Sequence, residues 1–172
     1  MDRSHQRGFT LFELMIGIMI LALLMGLAIP SFKQYTANTR TSAAANGLIT
    51  AFAIARSEAL RRSLPVSVCA SSDHQTCNTT DWTQGWLVFT DNTGTPGLLD
   101  GTDLPLQAWP AAGPTMTLTS TQAYVRYTPS GMNQLASKIT FTAASSGCSG
   151  NHKAQIIVSA TGQPQTSYIA CP

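Results

Sequence analysis

The side chains in this sequence best suited to chemistry are His74 and His152, the cysteines Cys69, Cys77, Cys148 and Cys171, and two acidic runs, Asp91-Asn92-Thr93-Gly94 and Asp100-Gly101-Thr102-Asp103. An active site needs a nucleophile, a base and charge-stabilising donors that converge. No G-x-S-x-G, H-E-x-x-H, P-loop or dinucleotide fingerprint is present. Ser and Thr are abundant, but no Ser/His/Asp set stands out, and that abundance suits exposed strands and turns. No enzymatic activity and no cofactor are expected. The acidic runs offer the oxygen ligands that calcium takes, yet they miss the EF-hand spacing and lack its final Glu. Asx-turns in a 91–103 loop are the plainer reading. Cys69, His74 and Cys77 match no standard zinc spacing, so no metal site is expected. For nucleic acid the candidate cations are Arg126, Lys138 and Lys153, with His152 beside them. They are scattered in or near strands, and a chain with 10% charged residues and a formal charge of +2 has no overall electrostatic footprint for DNA.

The elements that would position these groups begin with an unusual N-terminus. Arg7-Gly8-Phe9-Thr10-Leu11-Phe12-Glu13 leads into Leu14 to Ile29, where every residue is apolar or Gly. As a helix that run spans roughly 24 Å at 1.5 Å per residue, and with Phe9 to Phe12 it just crosses a bilayer. Glu13 is the anomaly, because an ionised carboxylate in such a segment costs about 3 kcal/mol on insertion scales and calls for a partner. A cleaved secretory signal would place small residues after the apolar core. Here Gly8 precedes the core, and Pro30-Ser31-Phe32-Lys33 follows it. Cutting after Gly8 would leave Phe9 first, retain the apolar helix, and take the formal charge from +2 to +1 by removing Asp2, Arg3 and Arg7.

Pro30 removes one helical hydrogen bond and is expected to kink the helix without ending it, because helical periodicity resumes beyond it. Gly17 and Gly26 would allow a neighbouring helix to come close. From about Ser31 to Arg62 the helix turns amphipathic. Ala45, Leu48, Ile49, Phe52, Ala55, Ala59 and Leu60 mark a face that covers a sheet, and Glu58 to Arg62 is a favourable i, i+4 pair. After Leu64-Pro65, eight short segments have strand character: 66–70, 86–90, 104–108, 115–118, 124–127, 138–142, 154–159 and 166–170. Turn residues separate them, and Pro105 assigns its segment to an edge or a bulge. A helix followed by such a run implies an α+β fold with a mainly antiparallel sheet. The expected organisation is residues 1–8 removed, 9–30 as membrane helix, and 31–172 as one exported domain, with its amphipathic helix at 31–62 and its sheet region at 65–172. An even number of cysteines in such a domain reads as two disulfides formed in an oxidising compartment. Of the three connectivities, Cys69 with Cys77 and Cys148 with Cys171 is favoured, since each pair could link neighbouring strands.

Gly8, Phe9, Thr10, Leu11, Glu13 and Pro30 together resemble the class III leader and stem of type IV pilins and type II secretion pseudopilins. Ala55-Arg56-Ser57-Glu58-Ala59-Leu60-Arg61-Arg62, Val66-Ser67-Val68-Cys69 and Gly85-Trp86-Leu87-Val88-Phe89-Thr90-Asp91 are similar to the FimT/FimU minor pilins and the GspH-type pseudopilins. The resemblance implies a long N-terminal helix on a C-terminal sheet domain. It also implies cleavage between Gly8 and Phe9 by a prepilin peptidase, methylation of the Phe9 amine, and pairing of Glu13 with that amine or with a neighbour's as the registry contact of assembly. The implied partners are other major and minor pilins through the helix, the inner membrane and its assembly platform. The implied location is a single pass in the bacterial inner membrane with a periplasmic domain, then a periplasmic or extracellular fibre. A non-catalytic minor pilin that primes assembly or sits in a tip complex follows, with a type II secretion pseudopilin as the alternative. A DNA-binding pilin is a further alternative, but where relatives of that kind carry Gly-Arg-x-Arg this chain has Gly162-Gln163-Pro164-Gln165, which lacks both phosphate-binding arginines.

Overall fold

A computed structural model describes residues 9–171. The chain divides into two compact units that meet in sequence between Thr36 and Ala37. One helix, α1 (Leu11–Arg62), contributes residues to both. Gly8, the expected cleavage position, lies outside the described residues. In the first unit α1 starts at a capping box. The Thr10 hydroxyl accepts from the Glu13 backbone N–H at 3.2 Å, and the Glu13 carboxylate accepts from the Thr10 N–H and hydroxyl, both at 2.9 Å. This reciprocal pairing satisfies helix donors that have no intrahelical acceptor.

The second unit holds the rest of α1 and eight strands: β1 (Val66–Ala70), β2 (Trp86–Thr90), β3 (Pro105–Trp109), β4 (Met116–Ser120), β5 (Tyr124–Tyr127), β6 (Ile139–Ser145), β7 (Lys153–Val158) and β8 (Pro164–Ile169). The strands expected from turn chemistry are all present. They form two antiparallel four-stranded sheets, ordered β3-β2-β1-β5 and β4-β6-β7-β8. Pro105 is both at an edge and at an irregularity, since β3 is outermost and the register shifts between Val88 and Phe89. A residue without an N–H is tolerated at such a place.

Period-two burial sets the core. Ile139, Phe141 and Ala143 on β6 and Ala154, Ile156 and Val158 on β7 are fully buried, while the residues between them are not. They meet a stripe on α1 made of Ala45, Leu48, Phe52, Ala55 and Ala59, whose small residues let helix and sheet approach closely. Leu60 departs from the expected stripe. It is 49% exposed and lies beside Gly131 instead, because one residue past Ala59 the helix has turned about 100° away from the sheet. Phe141 meets Phe52 at 5.0 Å between ring centroids and Trp82 at 4.8 Å edge-on. Trp82 comes from a short 3-10 turn capped by Asp81, whose carboxylate accepts from the Thr83 N–H.

Buried all along their length, β1 and β2 are covered on both faces. Val66, Val68 and Val88 join the main core, whereas Cys69, Leu87 and Phe89 form a second small cluster with Cys77, Leu99 and Tyr124. The 71–81 segment and the 91–103 loop therefore cover the outer face of a sheet. Disulfides join Cys69 to Cys77, with Cα atoms 5.7 Å apart, and Cys148 to Cys171, 5.8 Å apart. By the chain-entropy argument such loops contribute about 2.5 and about 3.5 kcal/mol respectively.

Gly162 turns the chain from β7 into β8 with φ +79°, and a Cβ there would overlap the Gly131 carbonyl oxygen. Gly162→Ala is expected to cost about 2–3 kcal/mol, combining a left-handed backbone penalty of about 1–2 kcal/mol with that overlap. Thermal melting followed by tryptophan fluorescence should show the loss. Gly147→Ala, at φ +81° but with nothing within 4 Å of its Cβ, should lose clearly less.

Candidate functional site

In the first unit the described side chains of α1 from Leu11 to Gly26 are exposed along the whole run. Phe9 is 92% exposed, and Leu11, Phe12, Met19 and Leu23 are each at least 70% exposed. An 18-residue window of this helix has a mean hydropathy of 2.5 and is long and apolar enough to cross a membrane. Gly17 has nothing within 4 Å of where a Cβ would stand. It lines a shallow groove of about 330 Å³ with Phe9, Glu13, Leu14, Ile18 and Leu21. Glu13 is thus the one carboxylate in an otherwise apolar surface. Its local partner is Thr10, a pairing that the T-x-x-E spacing ahead of an apolar run encodes.

The second unit places the candidate cations apart. Arg126 is engaged: its Nε lies 3.1 Å from Asp91 Oδ2, one Nη donates to the Asp91 carbonyl at 2.7 Å, and the other donates to Gln134 Oε1 at 2.9 Å. Asp91 is fully buried, and the same Oδ2 also accepts from the Ser67 hydroxyl and from the Gly97 N–H at 2.8 Å. This ion pair spans 35 residues and has no sequence signal beyond the residue types. Lys153 pairs with Ile169 at one end of β7. Lys138 precedes Ile139, which pairs with Val158 at the other end. The two lysines therefore form no common patch. The Gly162-Gln163 segment closes the β7–β8 turn, with Gly162 donating to the Ser159 carbonyl and Gln163 to the Ser159 hydroxyl.

In the 91–103 loop, Asp103 Oδ1 accepts from the N–H groups of Asn92 and Thr93 at 2.9 and 3.2 Å, and Asp100 Oδ2 accepts from Thr95 N–H at 2.9 Å. These bonds reach back 5 to 11 residues, so Asp100 and Asp103 tie the loop across itself instead of making the expected local Asx-turns. Among the described residues no three His, Cys, Asp or Glu side chains gather as a metal cage. Cys69 and Cys77 are committed to each other, so no thiolate pair remains beside His74.

Carboxylates at the surface of this unit are held below their ordinary range. The Thr76 hydroxyl and the Gln75 and Thr76 N–H groups lower Asp73, and Thr83 lowers Asp81. Hydrogen bonds from Arg61 and then Arg62, the latter at 2.6 Å, bring Glu58 down to about 2. A carboxyl whose pKa is lower folded than unfolded adds stability above its unfolded value, and loses it as pH falls through the folded one. For Glu58 that window runs from about pH 4.5 to about 2. Melting temperature is expected to hold down to about pH 4.5 and fall below it, less steeply in Glu58→Gln. A melting temperature that rises on acidification through this window would contradict the assignment.

A helix apolar enough at its start to cross a membrane, whose later turns pack within an antiparallel sheet unit, is the architecture of a pilin-type protein. The chain belongs to the family described as type II transport protein GspH, whose model matches residues 44–162. Residues 3–29 match the prokaryotic N-terminal methylation motif. Two curated fimbrial proteins of Pseudomonas aeruginosa are each 35% identical to it over 96 residues, which is 56% of this chain and 54% of theirs. The chain thus spans about half the length of the curated relatives it matches. Crystal structures of the type IV minor pilin FimU of Pseudomonas aeruginosa in two space groups share the fold. Their TM-scores are 0.57 and 0.59 at 21% and 20% identity, and the matches cover 73% and 77% of this chain and 91% and 92% of theirs.

Proposed function

We propose that this chain is a non-catalytic minor pilin, built into a type IV pilus to prime its assembly or as part of the tip complex. The observation that carries the reading is the combination of a GspH-type sheet unit with an exposed apolar helix that begins at a single carboxylate inside a methylation motif. On this reading residues 1–8 are a leader cut off after Gly8 by a prepilin peptidase, which then methylates Phe9. Residues 9–30 hold the protein in the inner membrane with the domain in the periplasm. The assembly platform later extracts the stem, which packs beside the helices of other pilins with Pro30 as a bend. Burying an apolar helix among its like removes from water, or matches to lipid, a surface that the monomer leaves bare.

The family description favours a second reading, a minor pseudopilin of a type II secretion system, which uses the same stem for a different output. Intact-mass and N-terminal analysis of protein from its native membrane is the direct test. The expected product begins at a methylated Phe9, and any other N-terminus contradicts both readings. Recovery in sheared surface pili, as opposed to loss of secreted enzymes on deletion, separates the two.

A further inference from the structure

We propose that a groove on the outer face of β1 and β5 binds a neutral saccharide. The groove has a volume of about 620 Å³ and is walled by Asn78 to Thr80 on one side and Pro96 to Leu98 on the other, with Tyr124 and the Cys69–Cys77 disulfide between them. That volume suits a small ligand. No lining residue carries a charge, so neither an anion nor a cation is matched. Tyr124 is half-buried, and its ring lies so close over Gly97 that a Cβ there would overlap the ring carbons. An aromatic ring held in this way supplies an apolar platform with a polar tip, the surface that the C–H face of a pyranose covers.

Directional polar groups surround the platform. Asn78 uses Oδ1 to accept from the Ser72 N–H and hydroxyl, at 3.0 and 3.1 Å, which fixes the amide and leaves its NH2 as a donor. The free edge of β5 supplies more. The Arg126 carbonyl accepts from Gln134 N–H and the Thr128 N–H donates to the Met132 carbonyl, both at 2.9 Å, so these residues face the outer edge. Antiparallel alternation turns the N–H and C=O of Tyr124, two residues earlier, to the same edge. No protein group occupies them among the described residues.

This edge also argues against an added peptide strand as the occupant. A strand pairs over about 5–6 residues, whereas residues 132–134 already cover the edge beyond Tyr124 and leave too short a stretch for one. One amide donor, one carbonyl acceptor, an amide NH2 and threonine hydroxyls around an aromatic ring match the hydroxyls of a single sugar. The walls are preorganised, since the buried Asp91 holds Gly97 N–H at 2.8 Å and the disulfide holds the facing loop. The site lies wholly in the sheet unit and does not depend on the pilus reading.

Saturation-transfer NMR on the full chain, in a zwitterionic detergent without a sugar headgroup, tests it against methyl pyranosides of glucose, galactose, mannose and N-acetylglucosamine and their disaccharides. Transfer to the ring protons of at least one of these, insensitive to salt, is the expected result. Tyr124→Leu should weaken binding at least about tenfold. Leu98→Glu, at a position 46% exposed and so safe for folding, should do the same with an unchanged melting curve. The proposal is overturned by transfer to none of the sugars, by undiminished binding in both variants, or by binding of an extended peptide where no sugar binds.

Discussion

Asp91→Ala is expected to destabilise the sheet unit by about 3–5 kcal/mol, a large part of the 5–15 kcal/mol typical of a domain. The physical reason is what remains after the truncation. Arg126, with only 16% of its side chain exposed, would keep its charge and lose the carboxylate 3.1 Å away. The Ser67 hydroxyl and the Gly97 N–H would lose their acceptor in a region closed to water. The expected fall in melting temperature, by tryptophan fluorescence, is roughly 10–15 °C. Asp91→Asn keeps one acceptor oxygen and should lose less. The double variant Asp91→Ala with Arg126→Leu should be more stable than Asp91→Ala alone, because it leaves no orphaned charge. If the two losses simply add, the ion pair is not the cause.

This pair also shows where sequence reading stops. The strands were legible because each is a run of five or so β-formers bounded by Gly, Pro, Asn or Asp, and α1 was legible because its apolar residues recur at three and four. Arg126 stands in the sequence only as one of several scattered candidate cations, since nothing local says that β1 aligns Ser67 with Arg126 and so brings it to Asp91. Division into two sheets and the second cluster around Cys69 and Leu87 were equally out of reach, because continuous burial in β1 and β2 depends on which loops fold over them. Trp82 sits in a polar segment that gives no local sign of burial, although it is among the largest fully buried side chains. Local features were recoverable, and the T-x-x-E capping box was one. Long-range pairings needed the register.

That capping box sharpens the second large prediction, which concerns Glu13 and rests on the proposed fibre role. Glu13 has two separable jobs. As the third helical residue it accepts from Thr10 and finishes the start of α1, a task that glutamine performs nearly as well. As a charge it would pair with a cationic N-terminal amine among packed helices, where removing one partner costs about 3–5 kcal/mol. Glu13→Ala removes both functions and Glu13→Gln only the second. Both variants are expected to remain in the membrane and to be cleaved, yet to fall by at least about tenfold in purified fibres, with Gln no better than Ala. Immunoblots of sheared fibres against the membrane fraction make the measurement. Rescue by Gln would reassign Glu13 to helix capping alone. Wild-type incorporation of both variants would remove it from assembly altogether. Thr10→Val completes the comparison: it breaks the cap but leaves the carboxylate free to pair, so it should be incorporated far better than Glu13→Gln if charge sets the register.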